Sequence, residues 1–461
     1  MIYDLVVIGG GPAGYAAAIR AAQLGKRVAC VEKERVGGTC LNWGCIPTKA
    51  LIKSAGFFSE IKNSATYGVL CDNPRIDFSK IMERSRRVVD TMARGIEFLF
   101  KKNKIDYFIG VGQVVANERV DIIDGRDKGT SLTTSKVLIA TGCKARELSD
   151  LPVDGARVLT SREALDLKTL PKSILVLGAG AIGVEFAYAF NALGTKVTLI
   201  EKMSQIMPQE DAEVSAAAAR SLQRQGICIL TNATLENIQI LPGGIRGEVV
   251  QEGKRTSLEN DHLLVAIGVV PQLEGLLPAH ISLELDRGFI KVNERYETSI
   301  PNIYAAGDII GPPWLAHVAT FEAIQAIDCI YNQETPRKLI NVPCCTYCQP
   351  QIGSVGITEQ QAKTLGIKYK IGKFPFLASG KAVVEDKAEG FVKLVVDSEN
   401  NKILGVHIIG SDATEMIAEY VLAMDLGATP ESVLQSIHAH PTLSEANAES
   451  AAVVLGKAIN L

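Results

Sequence analysis

A dominant charge, a long apolar run and a disulfide framework are all missing from this chain of 461 residues. With 48 Lys and Arg against 51 Asp and Glu, the net charge is −3, so no basic field favours nucleic acid or an anionic membrane surface. No apolar run reaches the length of a membrane span, and Asp4 and Arg20 bracket the first one. Met1 is followed directly by a strand pattern, leaving no room for a signal or transit peptide. The ten cysteines lack the spacing of a secreted scaffold, which suits a reducing, cytoplasmic setting. Cys345 and Cys348 make a CxxC, but no second pair completes a zinc set, and His438 and His440 have no evident third ligand. No metal site is expected, and Cys344, Cys345 and Cys348 read as buried strand residues.

What is present is a run of thirteen residues, Gly37-Gly38-Thr39-Cys40-Leu41-Asn42-Trp43-Gly44-Cys45-Ile46-Pro47-Thr48-Lys49. A bridge between its cysteines needs Cα atoms within roughly 4.4–6.8 Å. Five extended residues span about 16 Å and five helical ones rise about 7.5 Å. The pair can therefore meet only across a tight or distorted helical turn. Gly37 and Gly38 permit a sharp bend before it, Gly44 relaxes it, and Pro47 restricts the backbone on its far side.

The chain also carries an internal near-repeat. An apolar strand pattern at 4–8 runs into Gly9-Gly10-Gly11-Pro12-Ala13-Gly14, a helical pattern reaches Gly25, and a second strand ends at Glu32. A strand at 174–177 runs into Gly178-Ala179-Gly180-Ala181-Ile182-Gly183, a helix reaches Gly194, and a strand ends at Glu201. The offset is 169 residues at every landmark, without insertion or deletion. Each copy follows a strand, opens a helix and has an acid some twenty residues on, the full dinucleotide fingerprint. The glycines give the tight turn, the close approach to a pyrophosphate and the helix–strand packing, and Glu32 and Glu201 would accept from ribose hydroxyls. Strands ending at Gly142 and Gly268 could each close one nucleotide domain, and a third such strand ends at Gly307-Asp308. A dithiol beside a nucleotide site reads as redox chemistry.

These units predict an α/β fold: two Rossmann-like dinucleotide-binding domains and a C-terminal α+β module. The boundaries fall at 1–148 for the first nucleotide domain, 149–271 for the second, 272–341 for a segment returning to the first, and 342–461 for the last. Residues 332–338 read as a linker.

Over essentially its whole length the sequence resembles the flavin-dependent pyridine nucleotide-disulfide oxidoreductases. Within that family, Cys45-Ile46-Pro47-Thr48-Lys49 and His438-Ala439-His440-Pro441-Thr442-Leu443-Ser444-Glu445-Ala446 are most similar to the members that oxidise dihydrolipoamide. The resemblance implies FAD on the first fingerprint (Gly9, Gly11, Gly14, Glu32) and NAD on the second (Gly178, Gly180, Gly183, Glu201, Gly268). It implies that Thr39, Lys49, Gly112, Thr141, Gly142, Ala316 and His317 line the FAD site and that Asp308 bonds the ribityl chain. Cys45 would face the flavin and Cys40 would exchange with substrate. Lys49 would sit near the flavin's reactive nitrogen and pair with Glu185. His440, oriented by Glu445, would be the acid/base, reaching the active site of the other subunit of a homodimer. The C-terminal module would then be the dimer interface, and the partners would be lipoyl-bearing domains of 2-oxo acid dehydrogenase or glycine cleavage complexes. His438 would be structural. Glu201, with no arginine in the following Lys202-Met203-Ser204-Gln205, favours NAD over NADP. Val269-Val270 depart from the family, where an arginine is common. An NADPH-dependent glutathione-type disulfide reductase is the nearer rival, and a flavoprotein retained as a scaffold the more distant one.

Overall fold

Strands Leu5–Ile8 and Val28–Glu32 are buried along their whole length, a pattern that only the inside of a covered parallel sheet accommodates. The computed structural model describes residues 2–461 and places both in a five-stranded parallel sheet. Its order is Ile303–Ala305, Val137–Ile139, Leu5–Ile8, Val28–Glu32, Asp106–Ile109. Chain direction switches sides between Leu5–Ile8 and Val137–Ile139, where Ile8 pairs with Ile139. The crevice beyond such a switch is where open α/β sheets bind ligands. Helices Pro12–Gln23 and Ala316–Tyr331 close over one face, and their alanines form a thin apolar seam.

The same plan recurs in the order Val158–Leu159, His262–Val265, Ser173–Leu177, Lys196–Ile200, Cys228–Leu230, again all parallel. Beside it, Ala233–Leu241, Gly244–Gln251 and Lys254–Asn260 form an antiparallel meander. The two plans fall in different compact units. One unit comprises the chain up to Ala50, Ser79–Arg146 and Gly268–Lys338; the other comprises Leu51–Phe78, Glu147–Ile267 and Leu339–Leu461.

The C-terminal part is α+β. Five antiparallel strands run Cys344–Thr346, Gln351–Gly356, Ile403–Gly410, Phe391–Asp397, Tyr369–Pro375. Helices Ala413–Asp425 and Glu445–Val454 pack over an apolar core and are tied by the Tyr420 hydroxyl, which donates to Asn447 O at 2.9 Å. Cys344, Ser354, His407, Lys393 and Lys373 stand opposite one another in register, so they form one row on one face. Lys393 is fully buried and held by Asp211 at 3.0 Å, Glu213 at 2.8 Å and Glu359 at 2.5 Å. Burial opposes its charge, but the three carboxylates outweigh that and hold the ammonium above its ordinary range. The expectation for the other cysteines holds only in part. Cys344 and Cys345 are half-buried, while Cys348 is buried but lies past the strand, its Sγ 3.2 Å from Pro350 O. No metal-ligating cluster occurs among the described residues, and no described helix is long and apolar enough to cross a membrane.

Removing the lysine would leave the wholly buried Asp211 without its counter-charge. Lys393→Met is expected to lower unfolding stability by about 3–5 kcal/mol, read from denaturant midpoints. Glu210 supplies a pH-dependent counterpart. Its Oε1 accepts from Ser354 at 3.0 Å, Oε2 is buried without a partner, and burial pushes its pKa up to about 7. The fold therefore favours the protonated acid. That contribution is complete below the unfolded value and is lost as pH rises through about 7. Glu210→Gln should match the parent near pH 4.5 and exceed it at pH 8 by about 1–3 kcal/mol in thermal or denaturant unfolding.

Candidate redox and dinucleotide sites

The two glycine turns adopt closely similar geometry. Gly9 and Gly178 have φ of 101° and 98°. A Cβ on Gly14 would fall 1.8 Å from Gly9 O, and one on Gly183 would fall 1.9 Å from Gly178 O. Gly10 N–H donates to Glu32 Oε2 at 2.7 Å, and Ala179 N–H donates to Glu201 Oε2 at 2.7 Å. The second oxygens accept from Glu34 and Met203 N–H, both at 2.9 Å. Each buried carboxylate is thus fixed in orientation by two backbone donors and keeps lone pairs for a ribose.

Both turns fit a dinucleotide. The helices opening at Pro12 and Ala181 have no side-chain cap, so their first N–H groups remain available to an anion. A Cβ on Gly180 would meet nothing within 4 Å, nor would one on Gly142 or Gly268. At the first turn the Thr141 hydroxyl is buried with no hydrogen-bond partner. Asp308 is desolvated and its pKa rises to about 6. Gly112 packs on Ile8 and Val31, where a Cβ would be tight, 3.2–3.3 Å from their methyls. Thr39 and His317 are exposed and Ala316 is half-buried at the start of its helix.

The dithiol segment is tied to the first turn. Gly37 N–H donates to Gly10 O at 2.8 Å, and Gly38 sits so close to Gly11 that a Cβ on Gly38 would lie 2.6 Å from Gly11 Cα. Gly37 and Gly38 both have positive φ, 103° and 57°. The sharp bend expected of them therefore sets the redox segment against the nucleotide turn. A short helix, Gly38–Trp43, carries Cys40; Gly44 breaks it; a long helix, Cys45–Lys62, begins at Cys45. The distorted turn that the spacing requires is this break. Cys45 is exposed and Cys40 half-buried. The hydrogen bond with Cys45 is the main influence raising the Cys40 pKa, desolvation adds to it, and Lys49 partly offsets both.

Lys49 is one turn along the same helix. Glu185 is buried on helix Ala181–Leu193, where Oε1 accepts from Tyr347 N–H at 3.0 Å. In the C-terminal sheet-and-helix part, His440 Nδ1 lies 2.8 Å from Glu445 Oε1, and Glu445 Oε2 accepts from Thr442 N–H at 2.8 Å. Burial acts to raise the Glu445 pKa, yet Thr442 N–H and His440 outweigh it and hold the carboxyl low. The acid that orients the imidazole is itself clamped and ionised. His438 has both ring nitrogens engaged, by Ser436 O at 3.0 Å and Glu419 at 2.8 Å, which suits a structural role.

Residues 3–323 match the family described as pyridine nucleotide-disulphide oxidoreductase, and residues 342–451 match that family's dimerisation domain. The chain belongs to the pyridine nucleotide-disulphide oxidoreductase family. It is 42% identical to a dihydrolipoyl dehydrogenase of Zymomonas mobilis over 99% of both chains, and 42% identical to one of Bacillus subtilis over the same shares. Among solved structures it is similar to LpdA of Mycobacterium tuberculosis, with TM-score 0.90 and 26% identity over 97% of this chain and 98% of that one. An HOCl-induced flavoprotein disulfide reductase, RclA of Escherichia coli, has TM-score 0.87 and 29% identity over 98% and 100%.

Several residues around this oxidoreductase centre gave no sequence signal. Glu322, a carboxylate in an apolar helix, accepts from Gly307 N–H at 2.9 Å and so fixes the turn before Asp308; burial raises its pKa to about 7. Tyr15 packs beside Cys40. Asn42, nearly fully buried between the cysteines, donates to Val36 O at 3.1 Å and Gly38 O at 3.0 Å. A buried polar residue inside the redox run was the one available hint.

Gly44 is the sensitive point of the break, since a Cβ there would lie 3.0 Å from Thr39 O and 3.3 Å from Cys40 Cα. Gly44→Ala should displace Cys40 and disfavour bridge formation by about 1–2 kcal/mol, measured as the dithiol/disulfide ratio in a glutathione buffer, with little change in helix content.

Proposed function

We propose that this protein oxidises dihydrolipoamide to lipoamide and reduces NAD to NADH, using FAD and the Cys40–Cys45 pair. The observation that carries this reading is the packing of the dithiol segment on the first glycine turn, through Gly37 N–H to Gly10 O and Gly38 against Gly11. The dihydrolipoyl dehydrogenase relatives across the whole chain support the substrate.

FAD, bound along Gly9, Gly11, Gly14, Glu32, Thr39, Gly112, Thr141, Gly142, Asp308, Ala316 and His317, would supply a two-electron carrier between the thiols and the pyridine nucleotide. Lys49, with Glu185 as its charge partner, would stabilise negative charge beside that carrier. His440 takes the proton from a substrate thiol, and Glu445 holds the resulting imidazolium. The substrate thiolate attacks Cys40 Sγ, the Cys40–Cys45 bond breaks, and Cys45 leaves as a thiolate. The second substrate thiolate then attacks the substrate sulfur bonded to Cys40, which closes the lipoyl ring and releases Cys40. Two electrons have moved from substrate to the cysteine pair. Gly178 and Gly183 would shape the turn that receives NAD, and Gly180 and Gly268 would leave open space beside it. Glu201 accepts from its ribose and repels a 2′-phosphate.

In this reading FAD occupies 1–148 completed by 272–341, NAD occupies 149–271, and 342–461 forms the interface of a homodimer. The His440 side chain is 78% exposed, as suits a group serving a second copy of the chain. Lipoyl-bearing domains of a 2-oxo acid dehydrogenase or glycine cleavage complex are the partners, and the setting is cytoplasmic.

The test is steady-state turnover with dihydrolipoamide and NAD, beside glutathione disulfide and NADPH. NADH should form in the first mixture, and His440→Gln should slow it about 10²–10⁴-fold. Oxidation of NADPH by glutathione disulfide with no NADH formed from dihydrolipoamide would replace this reading with the glutathione-type one.

A further inference from the structure

Helix Phe78–Lys102 holds the redox segment with three successive side chains. Arg84 Nη1 donates to Ala50 O at 3.0 Å, Ser85 Oγ to Pro47 O at 3.2 Å and Arg86 Nη1 to Asn42 O at 2.9 Å. One turn further on, Asp90 accepts from Arg35 Nη1 at 2.7 Å. Ser85 is wholly buried. The carbonyls are not equivalent. Pro47 and Ala50 lie in the first turns of helix Cys45–Lys62, whereas Asn42 lies in the last turn of helix Gly38–Trp43.

That division matters because a six-residue helix leaves its final carbonyls without intrahelical partners. Gly44 ends this one, and two backbone torsions at the break could otherwise set the Cys40–Cys45 separation over a wide range. The Arg86 guanidinium fills the role of a C-terminal cap on the first helix while its neighbours Arg84 and Ser85 hold the second. One rigid element therefore spans the break and fixes both helices at once.

We propose that Arg86 is a positioning residue that sets the dithiol/disulfide equilibrium of Cys40–Cys45 by locking the break at Gly44, with Arg84 and Ser85 as the other half of the clamp. This rests on the reading of Cys40 and Cys45 as the redox pair. In the reaction that reports it, two glutathione thiols reduce the Cys40–Cys45 bond, giving two protein thiols and one glutathione disulfide. Loss of a charge-assisted hydrogen bond from the clamp broadens the sulfur separation and makes the bond easier to reduce.

The experiment equilibrates the flavin-loaded full-length protein in graded glutathione buffers, quenches in acid and alkylates. Peptide 36–49, which trypsin releases by cutting after Arg35 and Lys49, contains Cys40 and Cys45 alone among the cysteines, so its mass reports the pair. Arg86→Met should shift the glutathione equilibrium toward the dithiol by roughly tenfold, and Arg86→Lys, which can still donate to Asn42 O, should recover most of that shift. Ser85→Ala, a smaller change for use if Arg86→Met does not fold, should shift it about threefold in the same direction. An unaltered equilibrium in the folded variants, whatever happens to their melting temperatures, overturns the proposal while leaving the redox pair intact. Failure of the parent protein to form the bond at all overturns the redox reading and this inference with it.

Discussion

The Gly11–Gly38 approach is the contact on which the site depends. Two backbones come together where even a methyl on Gly38 would reach within 2.6 Å of Gly11 Cα, and Gly37 N–H closes the junction on Gly10 O. Only glycine at 38 allows both the contact and the positive φ. The result is that a turn built for a pyrophosphate and the segment that carries both thiols across the Gly44 break share one corner. A side chain at Gly38 would push the dithiol segment away from the nucleotide turn, whereas a methyl on Gly11 would meet Gly38 at an ordinary 3.8 Å.

The glycine turns show how far one local solution can be reused. In both copies the first glycine crowds a strand-end carbonyl, that of Ala140 or Ala266, and the third crowds the carbonyl of the first. The acid reaches back to the second position of the turn in both. The copies differ in what surrounds them. Gly11 lies against Gly38, whereas Gly180 faces open space. The first turn adds a desolvated carboxylate at Asp308 and an unsatisfied buried hydroxyl at Thr141. Identical turns thus present different chemistry, one beside thiols and one open.

The dimerisation domain carries charge where an α+β sheet would ordinarily carry apolar side chains. Lys393 is enclosed by Asp211, Glu213 and Glu359, and burying such a group gains little stability by itself because desolvation offsets the attraction. Asp211 both caps the following helix through Glu213 N–H and receives Lys393, so one carboxylate ties that helix to the sheet.

The sequence by itself determined everything that depends on neighbours along the chain. The glycine turns and the break at Gly44 follow from short-range sterics, and the acids at Glu32 and Glu201, though they reach back 22 positions, were legible because they stand at a fixed place in a repeated strand–helix–strand unit. The His440–Glu445 pair was legible through a resemblance, and its 2.8 Å contact spans only five positions. Tertiary structure alone decided which distant residues hold these pieces in place. Arg86 reaches Asn42 across 44 positions, Glu322 reaches Gly307 across 15, and Lys393 meets Asp211 across 182. An arginine on a long amphipathic helix or a lysine in an apolar strand has no local pattern that names its partner. Packing chooses that partner, because a buried donor or charge must be satisfied by whatever the fold brings beside it.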